Sequence, residues 1–346
     1  MSSQRLPFIE TGKDAWALER ERLLARKISE LGLTIEGTYL QTIIERLYAE
    51  LDRAGIRFKP KVYLSDEWSC PDRVPLIGIP FYLADAKLSR LEDEMMDGIE
   101  ASTEDEILRY LRHEAGHAFN YAHKLYETAE WRSVFGPFEA PYNEEYTPQP
   151  FSRRYVRHIP GWYAQKHPDE DFSETFAVWL APDSNWREQY RDWGCYPKLE
   201  YVERIVAEYG AREPAVNGAD YDLASEELGY SVAEYYARVR PEPLPLPAQF
   251  EGELRRIFGP TGAEVESMPA AALLAEHRRK IVFDVAYWTG LYDVRVRSLV
   301  NHLIEHSRKL DLRVPAQHTT AALIDFMAFI TSLCMNKLYK GEYVSL

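Results

Sequence analysis

The chain has 346 residues, of which 46% are hydrophobic and 13% aromatic; that suffices for a sizeable core and excludes a globally disordered protein. With 41 basic against 55 acidic residues the formal charge is −14, which argues against nucleic acid or anionic membrane as partner, because phosphate binding needs a basic face. Three distant cysteines (Cys70, Cys195, Cys334) form neither a disulfide framework nor a cysteine zinc site. The opening MSSQRLPFIETGKDAW has no apolar leader, so a cytoplasmic protein is expected.

In chain order, residues 12–54 predict two helices, charged on one face and lined by Leu, Ile and Tyr on the other, with Gly55 stopping the second. Residues 57–64 and 74–84 predict strands at sheet edges, given Pro60, Gly78 and Pro80 among β-branched and aromatic residues. Ser102 or Thr103 starts a long helix, and Thr103 with Glu106 has capping-box spacing. Residues 136–161 form a connection rich in proline and aromatics, a kind of loop that usually carries function. Pro168 opens another helix through Leu180. The run PEPLPLP at 241–247 is a stiff linker, and 248–346 read as several helices. The most apolar stretch, 321–335, contains Asp325, and only ten residues separate that acid from Asn336; this predicts a buried helix or an oligomer contact rather than a membrane span. The expected fold class is therefore α+β and predominantly helical. A first domain, residues 1–240, comprises a helical N-terminal segment over residues 1–54 and a core over 55–210 with a small edge sheet. A helical C-terminal domain follows the linker.

The chemistry is concentrated in His113-Glu114-Ala115-Gly116-His117. H-E-x-x-H on a helix stacks two imidazoles one turn apart, where both reach one zinc ion, and the intervening Glu is placed to take a proton from water. Ile107, Leu108, Leu111, Ala115, Ala118, Phe119 and Ala122 share one apolar face, with the histidines opposite beside Tyr110, Asn120 and Tyr121. His123 has the metzincin spacing, but Asn120 stands where that family has Gly, and no Met lies between Met96 and Met268 to form a methionine turn. The helix is expected to continue, turning His123 about 120° from His117 as an ordinary helix-surface residue.

The stronger source of a third ligand is HPDEDFSETFAVWL, residues 167–180. Glu170 and Glu174 sit one turn apart on a stripe shared with Ala177 and Ala181, small enough to press against a second helix, while Phe172, Phe176, Trp179 and Leu180 face the core. RHEAGHAFN followed by this segment resembles a bacterial family of zinc-binding metallopeptidases in the gluzincin branch, over residues from about 55 to 207. The resemblance implies a zincin-like catalytic domain holding one Zn2+ per chain, with His113, His117 and Glu170 as ligands, Glu114 as general base and Glu174 as an outer carboxylate. Glu at 174, where many relatives have Asp, leaves open whether Glu174 itself ligates. A tyrosine seven residues before the ligand glutamate stabilises the oxyanion in lethal-factor-like gluzincins; Tyr163 matches, with His158 and His167 as alternative donors.

The implied function is hydrolysis of peptide bonds, with a peptide or protein substrate that could pair with the strand near residues 76–83. Arg153, Arg154 and Arg157 are candidates for receiving acidic substrate groups. The alternative is a zinc-binding scaffold, regulator or single-partner protease, with the C-terminal helices as partner surface. His302-Leu-Ile-Glu305-His306 matches an inverted zinc motif, but only 40 residues follow His306, and its amphipathic helix is read as structural.

Overall fold

The computed structural model describes residues 13–96, 98–143, 146–217, 224–239, 250–259 and 266–343. The chain divides into two compact units: residues 1–146, 152–159 and 163–240 in one, and 147–151, 160–162 and 241–346 in the other. The PEPLPLP segment lies outside the described residues.

The first unit is helical with one short parallel ladder. Its elements are α1 (Lys13–Ala25), α2 (Tyr39–Arg53), β1 (Lys61–Ser65), β2 (Leu76–Pro80), α3 (Ala86–Met95), α4 (Glu104–His123), α5 (Ala129–Phe135), α6 (Pro168–Leu180), α7 (Trp186–Gln189), α8 (Tyr196–Tyr209) and α9 (Val232–Val239). The architecture is thus predominantly helical with a two-stranded sheet, as the sequence predicts. Leu47 of α2, Leu111 and Phe119 of α4 and Phe172 and Phe176 of α6 meet in one core, with the Phe119 and Phe176 rings stacked at 5.4 Å.

The strands differ from expectation. β1 and β2 run parallel, and the loop between them folds back so that Ser69 bridges Gly78 on the other side of β2. Both backbone groups of Gly78 are thereby engaged, its N–H donating to Ser69 O at 2.7 Å and its carbonyl accepting from Ser69 N at 3.3 Å. A Cβ at Gly78 would lie 2.5 Å from Ser69 Oγ, so glycine is what admits this close strand. All five β2 residues are buried, and at Gly78 neither edge is open to an extended peptide.

The second unit holds α10 (Phe250–Ile257), β3 (Ser267–Pro269), α11 (Ala270–Thr289), α12 (Asp293–Lys309), β4 (Arg313–Pro315) and α13 (Thr319–Lys340) around its own core. The apolar helix is longer than the stretch counted in the sequence: Ala316–Lys340 is long and apolar enough to cross a membrane by length and composition alone, a property that the core helix of a soluble protein shares. In this unit its Phe326, Phe329, Ile330, Leu333 and Cys334 are buried.

Candidate metal centre

Two well-terminated helices carry the site. Thr103 Oγ1 accepts from Glu106 N while the Glu106 carboxylate accepts from Thr103 N, so α4 starts on a reciprocal cap. It ends at Lys124 in the left-handed conformation (φ 52°), directly after His123. α6 starts with His167 as cap, its Nδ1 accepting from Asp169 N at 3.2 Å, and Pro168 at the first helical position. The helices touch where α4 has Gly116: a Cβ there would come within 2.8 Å of Ser173 Cα. This contact lays the His-bearing face of α4 against α6; residues 113–123 are all buried, and that face is not a solvent-lined wall.

The approach gathers three donors. His113 Nε2 and His117 Nε2 are 3.1 Å apart, and Glu170 Oε2 lies 3.0 Å from the first and 3.2 Å from the second. Among the described residues this is the one group of three or more His, Cys, Asp or Glu side chains arranged to hold a metal ion. Bonds of about 2.0–2.1 Å at tetrahedral angles would set donors about 3.3 Å apart, so the near-equilateral triangle fits one face of such a site.

Each imidazole is backed by its own carboxyl group. Glu174 Oε1 meets His113 Nδ1 at 2.9 Å, while its Oε2 accepts the backbone N–H groups of His158 and Ile159 at 3.2 and 2.9 Å. Asp169, which the sequence reading missed, does the same for His117: its Oδ2 is 2.7 Å from Nδ1 and accepts from Tyr121 OH at 2.5 Å, and its Oδ1 accepts from Asn120 Nδ2 at 2.7 Å. Nδ1–H donation to these acids leaves both Nε2 lone pairs facing Glu170. Glu174 therefore sits behind His113, and Glu170 is the acid at the donor triangle.

The titratable groups of the cluster shift one another strongly. Burial lowers the pKa of His113, but hydrogen bonds to Glu170 and Glu174 outweigh it and raise the value to about 9. Burial likewise opposes the charge on His117, and the Asp169 and Glu170 charges hold its pKa well above the usual range. Glu170, which burial would raise, is held well below it by the two histidines. A divalent ion held there would supply the positive charge that the imidazoles otherwise draw from protons.

Around the triangle, Glu114 is buried, and burial raises its pKa; among the described residues no hydrogen bond commits its carboxyl group to the fold. Tyr163 packs edge-on against His113 at 5.5 Å. Its neighbour Tyr142, another residue missed in sequence, donates to Glu170 Oε1 at 2.5 Å, and its hydroxyl is 3.4 Å from that of Tyr163. Lys166 Nζ lies over both rings, at 4.3 and 5.2 Å. The alternative donors are engaged with backbone: His158 Nε2 is 3.0 Å from Arg109 O and His167 Nε2 is 3.0 Å from Ala140 O.

The remaining sequence candidates lie outside the donor triangle. Arg153 and Arg157 sit over the Trp193 ring at 5.9 and 5.3 Å, and the Arg154 carbonyl accepts from Lys198 Nζ at 3.0 Å. His123 is no surface residue: it is buried among Phe58, Phe119 and Tyr209, and burial lowers its pKa to about 4. The His302 and His306 rings on α12 lie 4.4 Å apart and tilted, with no third ligand gathered beside them among the described residues. No known family model, curated protein or solved structure matches this chain.

Proposed function

We propose that this chain is a zinc-dependent metallopeptidase of the gluzincin type, hydrolysing peptide bonds in the cytoplasm without nucleic-acid or membrane partners. The observation that carries the proposal is the buried His113, His117 and Glu170 triangle with a separate carboxyl group behind each imidazole. A purely structural zinc site closes all four positions with protein ligands, whereas this set offers three. Zinc held there would supply a Lewis acid and bring water within reach of deprotonation near neutral pH.

The chain's own residues divide the remaining work. Glu114 accepts the proton of the attacking water at its carboxylate and returns it to the leaving amine; burial moves this base toward neutral pH, where such a transfer is efficient. Tyr163 donates its hydroxyl to the oxyanion growing on the scissile carbonyl. Tyr142 orients Glu170 through Oε1 and leaves Oε2 for the metal. The helical C-terminal unit is assigned no role in the chemistry and is a surface for a protein partner or a second copy.

The test is zinc analysis with a mixed-peptide digestion, comparing wild type with Glu114→Gln and Glu170→Ala. One zinc per chain and cleavage in wild type, zinc without cleavage in Glu114→Gln, and loss of zinc in Glu170→Ala are expected. Stoichiometric zinc with no cleavage of any peptide would replace the peptidase with a zinc-bearing scaffold or a protease restricted to one partner.

A further inference from the structure

A second concave site in the first unit has a chemistry unrelated to the metal cluster. It is a cavity of about 710 Å³ walled by α2, α4, the 157–158 loop, the end of α6 and the residues that follow it. Its lining includes Arg46, Arg53, Arg109, Arg112 and Arg157. The carboxyl groups in the lining are Glu50, Asp105 and Asp183, so guanidiniums exceed them by two. This inverts the character of its surroundings, because the whole net charge of −14 falls on residues 1–240.

The cationic wall is built rather than incidental. Arg112 is locked by a two-pronged bond to buried Glu50, Nε to Oε2 at 2.7 Å and Nη2 to Oε1 at 2.6 Å, which fixes one guanidinium on the α2 side of α4. Arg46 is paired at 3.1 Å with Glu104 and at 3.8 Å with Asp105. His158 does not add to or offset this charge: burial holds it neutral, and the Arg109 and Arg112 charges act in the same direction. Five guanidiniums converge on one concave wall and offer a cluster of hydrogen-bond donors to a single occupant. Guanidinium forks match carboxylate and phosphate oxygens, and the volume is that of a small-molecule site.

We propose that this cavity binds a small polyanion, a phosphorylated compound or a di- or tricarboxylate. It is separate from the metal cluster yet adjoins its support, since the loop that contributes Arg157 and His158 also gives the N–H groups of His158 and Ile159 to Glu174. An occupant would lie one loop away from the carboxyl group that orients His113.

The experiment is calorimetric titration of the full chain, freed of metal so that no anion can bind through an ion, at low salt. Inorganic pyrophosphate and tricarballylate serve as phosphoryl and carboxylate probes. Saturable binding of at least one probe is expected, with the tighter one identifying the source chemistry. It should weaken about tenfold or more in the Arg109→Gln/Arg157→Gln double variant and stay unchanged in Arg153→Gln, whose site lies outside the lining. Should the double variant fail to fold, Arg53→Gln on the exposed end of α2 decides, with a several-fold weakening expected. No saturable binding of either probe overturns the assignment. So does wild-type affinity in a folded cavity variant, or binding seen only after zinc is added. None of these results depends on whether the metal cluster is catalytic.

Discussion

Removal of Asp169 separates a metal site from an ordinary buried polar cluster. Three donors converge on its carboxyl group: His117 Nδ1 and Tyr121 OH on Oδ2, and Asn120 Nδ2 on Oδ1. Asn120 cannot turn its amide to adapt, because its Oδ1 already accepts Tyr126 N at 2.9 Å. In Asp169→Asn, whichever way the new amide faces, one NH2 group meets a donor. The cost is one buried unsatisfied group, about 1–3 kcal/mol of stability. The second effect is on the ion. Loss of an outer carboxylate typically weakens metal binding about 10–100-fold, or about 1.4–2.7 kcal/mol, with Asn near the low end and Ala near the high end. The assay is zinc affinity by competition with a chromophoric chelator, paired with thermal unfolding at fixed free zinc. Under saturating zinc, the stabilisation by the ion should shrink by the same free energy that the affinity loses. Glu170→Ala, which deletes a donor, should lose more affinity than either. Folded Asp169→Ala binding zinc as tightly as wild type would refute the reasoning, as would Asp169→Asn weakening zinc more than Glu170→Ala.

Two further perturbations follow from the packing. Gly116→Ala places a methyl 2.8 Å from Ser173 Cα, a backbone atom that cannot swing aside, so α4 and α6 must separate. A loss of about 1–3 kcal/mol in stability is expected, together with weaker zinc binding, although no donor is altered; unchanged zinc affinity would count against the helix contact as the positioning device. His123 titrates at about 4 in the fold against 6.5 ordinarily, so the fold favours its neutral form. Its contribution is full above pH 6.5 and is lost as pH falls toward 4, about 1–2 kcal/mol after allowance for screening. His123→Leu should therefore narrow its stability gap to wild type, or reverse it, across that interval in denaturant titrations, and parallel curves would show that His123 does not carry it.

What the sequence makes legible is what a single helix can state by itself. The reciprocal cap at Thr103 and Glu106, the proline at 168 and the 3.6-residue period of α4 are local signals, and the structure has them at the same residues. The His113 and His117 spacing and the Glu170–Glu174 turn are local in the same sense. The misreadings arise where a partner element decides. A strand pattern does not disclose that its connecting loop will return and occupy Gly78, and a polar helix face does not disclose that another helix will bury it. Asp169 was invisible because helical periodicity places it off the Glu170–Glu174 stripe. It is found only once His117 is known to turn its Nδ1 toward the first turn of α6.

The same distinction changes the meaning of the glycine in His113-Glu-Ala-Gly-His117. The small residues that suggested close packing are Ala177 of α6 and Ala181 just past its end, yet the close backbone approach at the motif is between Gly116 and Ser173. The coordination spacing of H-E-x-x-H sets no requirement on this position; both histidines would share their face with any residue there. What depends on its lack of a side chain is the distance between α4 and the helix that brings Asp169, Glu170 and Glu174 to the imidazoles. A bulky residue at 116 would preserve the motif as a string while moving its third ligand and both supporting acids away. The motif proposes a metal site, and the permitted approach of the second helix determines whether its donors converge.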